Sequence, residues 1–150
     1  MYAIKLTRFA MILFLAFLAF LPVTAFVSDA NAEDIVVICN KNVAEDTLAP
    51  DEIRQIFLGK KTRWNDNRKI DFVTLRQDQP HKTFLKAFIG KTVAQYRNYW
   101  RKIVFTGKGR APRSFKTPSD MVAYVARNDG AIGYVPPDTV SEDVKIIVTQ

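Results

Sequence analysis

The sequence predicts an α/β domain, a central mixed sheet flanked by helices. Three observations carry that expectation. Four short apolar runs, 35–39, 70–75, 131–135 and 145–148, have the length and β-branched content of buried strands. The segments between them place apolar residues at helical spacing. The elements also interleave along the chain: strand, helix, strand, two helices, loop, helix, strand, strand.

The first run, Ile35-Val36-Val37-Ile38-Cys39, is apolar throughout, as a central strand requires. A helix follows from Pro50, whose missing N–H costs nothing at the first helical position. Asp51 and Glu52 suit its positive end. Ile53, Ile56 and Phe57 form its apolar face, and Gly59 stops it. Residues 60–69 are polar and basic around Trp64, with turn chemistry in Asn65-Asp66-Asn67.

After the strand at 70–75, residues 76–80 lead into a helix that buries Phe84, Leu85, Phe88 and Ile89 and breaks at Gly90. Thr92 and Gln95 then make a capping-box pair. Val93, Tyr96, Trp100, Ile103 and Val104 recur at helical spacing and give the strongest helix signal of the chain. The stretch 105–115, "FTGKGRAPRSF", reads as a basic connecting loop, with Phe105 and Phe115 expected to anchor it to the core. Thr117-Pro118-Ser119-Asp120 starts another helix, burying Met121, Val122 and Val125. Asp129-Gly130 ends it before the last two strands.

Residues 1–32 read as a secretory signal peptide. Lys5 and Arg8 precede the apolar run 9–20, and Ala30-Asn31-Ala32 supplies a small-residue cleavage pattern. The run is shorter than the ~20 residues of a membrane-spanning helix. Cleavage after Ala32 leaves 33–150 as one domain in the periplasm or outside the cell, with no later segment apolar enough to span a membrane.

The formal net charge of +7 favours anionic partners. The single cysteine, Cys39, ends a buried strand and reads as an inert thiol; it excludes an internal disulfide. With His81 the only histidine and no cysteine pair, a zinc site is not expected, nor is any cofactor. No nucleophile is tied by motif to Asp78 and His81, which argues for binding over catalysis. Tyr96, Tyr99 and Trp100 interleave with Arg97, Arg101 and Lys102, a pattern nucleic-acid binders share. Tyr96 and Trp100 fit the apolar helix face, however, and export disfavours a nucleic-acid partner.

Three stretches could hold an anion. The turn 76–83 leaves a strand and opens a helix, where free N–H groups and the dipole favour negative charge. Arg76, Gln79, His81, Lys82 and Thr83 stand there. Gly59-Lys60-Lys61-Thr62 lacks the earlier glycine of a nucleotide-binding loop and follows a helix, so it is set aside. In the third, Gly107 and Gly109 could bring N–H groups together, with Lys108, Arg110 and Arg113 as accessory charge.

The order of these motifs resembles the substrate-binding proteins of phosphate ABC transporters. "LAPDEIRQIFLGKKTRW" (48–64) is similar to that family's helix ending in an Ile-Phe-x-Gly-Lys-type turn before a tryptophan. "IDFVTLRQDQPHKTFLKAF" (70–88) resembles its strand, arginine, ligand turn and helix. "GAIGYV" (130–135) is similar to its Gly-Ala-Ile-Gly-Tyr strand. The resemblance implies a single periplasmic-binding-protein-like lobe that binds phosphate or a related small anion, without enzymatic activity, for transport. Arg76 matches the family's arginine. The family's Ser-Gly-Thr is replaced near Gln79, Pro80 and His81, ahead of Lys82 and Thr83. The alternative is an interaction module that keeps the fold and presents its basic surface to an envelope protein or a polyanion.

Overall fold

The computed structural model describes residues 34–76 and 78–150; the expected export signal lies outside the described residues. The strands are β1 (Val36–Asn40), β2 (Thr47–Leu48), β3 (Asp71–Leu75), β4 (Arg113–Phe115), β5 (Ala131–Val135) and β6 (Val144–Thr149). The helices are α1 (Pro50–Phe57), α2 (Gln79–Phe84), α3 (Val93–Phe105) and α4 (Pro118–Arg127). A π-helical turn, Leu85–Ile89, continues α2 until Gly90 ends it in the left-handed region.

The strands form one mixed sheet in the order β2-β6-β1-β5-β3-β4. β1 runs antiparallel to β5 and β6, and β3 runs parallel to β4 and β5. β1 lies third in this order, as its uninterrupted apolar run predicts: Val37, Ile38 and Cys39 are fully buried. Burial pushes the Cys39 thiol up to about 11, an inert state.

Side-chain alternation sorts the two faces of the sheet. On one face α4 packs against β1, β3 and β5. There Gly133 is backed so closely by Met121 that a Cβ would lie 2.6 Å from its sulfur. The other face carries an aromatic cluster. Tyr134 stacks on Phe84 at 3.7 Å between centroids, and Phe57 meets both rings at an angle. Trp64, in the basic segment after α1, is buried as well and donates its indole N–H to the Gly130 carbonyl at 3.0 Å.

The stretch 105–115 departs from its expected form in two ways. Its end is a strand, β4, paired with the end of β3. Three residues without an apolar alternation carry no strand signal of their own; the edge of β3 supplies the pairing. Phe105 does not anchor the loop, because it is 91% exposed, whereas Phe115 packs on Tyr124 of α4.

Candidate functional site

The carboxyl ends of β3 and β4 meet α3 along a groove of about 860 Å³. One wall is a single face of α3: Val93, Tyr96, Arg97, Trp100, Arg101, Val104 and Phe105. Their spacing of three and four residues makes them one stripe along the helix. The opposite wall comes from Thr74, Leu75 and Arg76 on β3 and from Ala111, Pro112 and Ser114 around β4. His81 of α2 completes the lining.

Local sequence explains how these walls are held. Thr92 and Gln95 cap α3 reciprocally, at 2.9 and 3.2 Å. The Tyr96 and Tyr99 hydroxyls donate to the Phe57 and Leu58 carbonyls at the end of α1, both at 2.7 Å. Trp100 lies against Gly59, where a Cβ would come within 2.7 Å of the indole. Gly59 therefore ends α1 and also admits the tryptophan. The Arg76 N–H donates to the Phe115 carbonyl at 2.8 Å, and the Thr74 and Ser114 hydroxyls share a hydrogen bond of 2.8 Å. These bonds fix the second wall.

His81 is 5% exposed and joined to Tyr134 through Nδ1. The Tyr134 oxygen also accepts the Leu75 N–H at 3.0 Å. Among the described residues the hydroxyl proton has no acceptor other than His81, so Nδ1 accepts it and the imidazole proton sits on Nε2. Burial lowers the pKa of His81, against the opposing charge of Asp78, and holds the ring neutral. Burial likewise raises the Tyr134 hydroxyl well above its ordinary value, so it stays protonated.

The expected anion turn takes a particular form. Asp78 caps α2, its carboxylate accepting the His81 N–H at 3.0 Å. The Lys82 N–H donates to the Asp78 carbonyl at 3.2 Å, and Pro80 has no N–H. The start of α2 therefore has most of its donors engaged and already carries a negative charge. Of the five residues read as ligand-binding, Arg76 and His81 line the groove, and Gln79 and Thr83 do not. Lys82 faces a second groove, of about 630 Å³, with Lys86 and Lys91.

The accessory residues are also dispersed. Gly107, Lys108, Gly109 and Arg110 are exposed and are not among the residues that line the 860 Å³ groove. Arg113 extends across the other sheet face and lies over the Tyr124 ring at 5.0 Å. The alternation of β4 is the cause: Ser114 faces the groove, so its neighbours cannot.

Sequence reasoning missed Arg97 and Arg101 as site residues. They sit one turn apart on α3 and line the same groove as Arg76. Their four-residue spacing beside Val93, Trp100 and Val104 was the available signal. Among the described residues, no carboxylate pairs with any of these three arginines, whereas four ion pairs form elsewhere. No group of three or more His, Cys, Asp or Glu side chains suited to a metal comes together among the described residues, and no described helix is long and apolar enough to cross a membrane.

A lobe of parallel and antiparallel strands with a ligand-sized groove at the strand ends defines a class of binding domain. The sequence model of the PBP superfamily domain matches residues 25–142, and the chain belongs to that superfamily. Its fold is shared with an ABC-type phosphate transport receptor from Vibrio cholerae, at 19% identity and a TM-score of 0.60, over 77% of this chain and 45% of that one. It is shared equally with a phosphate-bound protein from Clostridium perfringens, assigned to the substrate-binding proteins of phosphate ABC transporters. There the identity is 19% and the TM-score 0.62, over 77% and 44% of the two chains. PstS from Borrelia burgdorferi matches at 11% identity and a TM-score of 0.60, over 77% and 47%. The chain thus spans less than half the length of these structural relatives. No curated protein is significantly similar to it in sequence.

Proposed function

We propose that the protein is an exported binding protein for phosphate or a related oxyanion, captured in the groove between α3 and the ends of β3 and β4. The observation that carries this reading is that Arg76, Arg97 and Arg101 line one groove without a carboxylate partner among the described residues. Guanidinium groups present forked donors that suit a tetrahedral oxyanion, and they stay charged at any physiological pH. Arg97 and Arg101, at i and i+4, repel each other by a few tenths of a kcal/mol, and a bound anion relieves that repulsion. Kinship with phosphate receptors supports the same ligand class.

In this reading Arg76 keeps the role expected of it, and the arginines of α3 take over from the backbone donors at the start of α2. His81 contributes its neutral Nε2–H from the groove lining, while Gln79, Lys82 and Thr83 add positive or polar surroundings. The Gly107–Arg110 segment and Arg113 act at most through long-range charge. Residues 1–32 direct export and are removed, which N-terminal sequencing of the secreted form tests by finding Glu33 first. The role is binding, with transport as its purpose.

Calorimetric titration with inorganic phosphate tests the site. Binding should weaken as salt rises, and Arg97→Ala should weaken it about tenfold or more, the cost of a charged hydrogen bond. Absence of binding, or affinity unchanged in Arg76→Ala and Arg97→Ala, would refute it.

A further inference from the structure

We infer that the ligand of this groove is an oxyanion carrying an apolar body, a phosphomonoester or phosphonate with an aryl or short alkyl group, and not the bare inorganic ion. The inference rests on the proposed anion-binding reading and extends it. A tetrahedral oxyanion has only a few heavy atoms, and the groove, at about 860 Å³, lies in the range that holds drug-sized molecules. Beyond the arginines its walls are largely apolar: Val93, Val104 and Phe105 on α3, and Ala111 and Pro112 opposite.

Val104 and Phe105 are not there to build the core. Val104 is 47% exposed and Phe105 91% exposed, although both belong to the helix face that turns toward β3 and β4. Water over such a surface is displaced favourably by an apolar body, at roughly 25 cal/mol per Å² covered. A small hydrated anion would leave that surface wet. The arginines fix the head of the ligand, and the apolar end of the groove past Arg101, with Val104 and Phe105, accepts its substituent.

Phenyl phosphate, inorganic phosphate and phenol, each titrated calorimetrically into the purified protein, separate the possibilities. Phenyl phosphate should bind about tenfold or more tighter than inorganic phosphate, from burial of one ring, and phenol should bind far more weakly than either. Ala111→Phe changes an exposed residue and fills the apolar end. It should weaken phenyl phosphate more than inorganic phosphate and so abolish the advantage. Equal affinity for the two phosphates overturns this inference and leaves the oxyanion reading standing. So does an advantage that survives Ala111→Phe. Phenol binding as well as phenyl phosphate, or no binding by either phosphate, overturns both.

Discussion

The Tyr134 hydroxyl on β5 bonds to Nδ1 of His81 on α2, and the same oxygen accepts the N–H of Leu75 at the end of β3. One phenol thus ties α2 to β5 and to β3, one of the two strands that bear the groove. Tyr134→Phe keeps the ring that stacks on Phe84 and removes only this junction. Two buried polar groups lose their partner, each at a cost of ~1–3 kcal/mol. Denaturant unfolding should show a loss in that range or above it, with an unchanged m-value.

The protonation of His81 gives stability a pH dependence with a definite sign. Its pKa is lowered in the folded state from the ordinary 6.5, chiefly by burial. The unfolded chain therefore binds a proton that the folded chain does not. The contribution is fully present above the unfolded value and is lost as pH falls toward the folded one. His81 is the only histidine, so no other ordinary side chain titrates in that interval. The melting temperature should fall between pH 7 and 5.5, and His81→Gln should flatten the slope. An unaltered slope in the variant would contradict the assignment of a neutral, buried ring.

Gly130 and Gly90 both adopt positive φ, +76° and +68°, yet they should respond differently to alanine. At Gly130 a Cβ would lie 2.3 Å from the Lys69 carbonyl oxygen, in backbone that cannot swing away. The Gly130 carbonyl also holds Trp64 and the Asp71 N–H, each at 3.0 Å. At Gly90 nothing lies within 4 Å. Gly90→Ala should cost only the ~1–2 kcal/mol of left-handed strain. Gly130→Ala should cost clearly more, read as a lower midpoint in the same denaturation series.

The helices and the long strands were legible because their signals are local. Thr92 and Gln95 announced α3, Pro50 and Gly59 bracketed α1, and the run at 35–39 read as a central strand. β4 was illegible because Arg113, Ser114 and Phe115 become a strand only by pairing with β3. Arg76 was found through its position at a strand end. Arg97 and Arg101 were legible as a helical pair, but Arg76 on the opposite wall lies about twenty residues from the nearer of them in sequence. Only the sheet brings it across. The cap at Asp78 was not among the expectations. Its consequence, that the carboxylate takes the donor an anion would use, follows from the bond to the His81 N–H.

In the proposed function the arginines of the groove, and not the start of α2, capture the anion. An NMR titration with phosphate that follows the arginine Nε–H signals and the backbone amides tests it most directly. Saturable shifts should concentrate at Arg76, Arg97, Arg101 and the flanking amides of Leu75 and Ser114, with little change at Lys82. No saturable shift in the groove, or shifts centred on Lys82, Lys86 and Lys91, would contradict it.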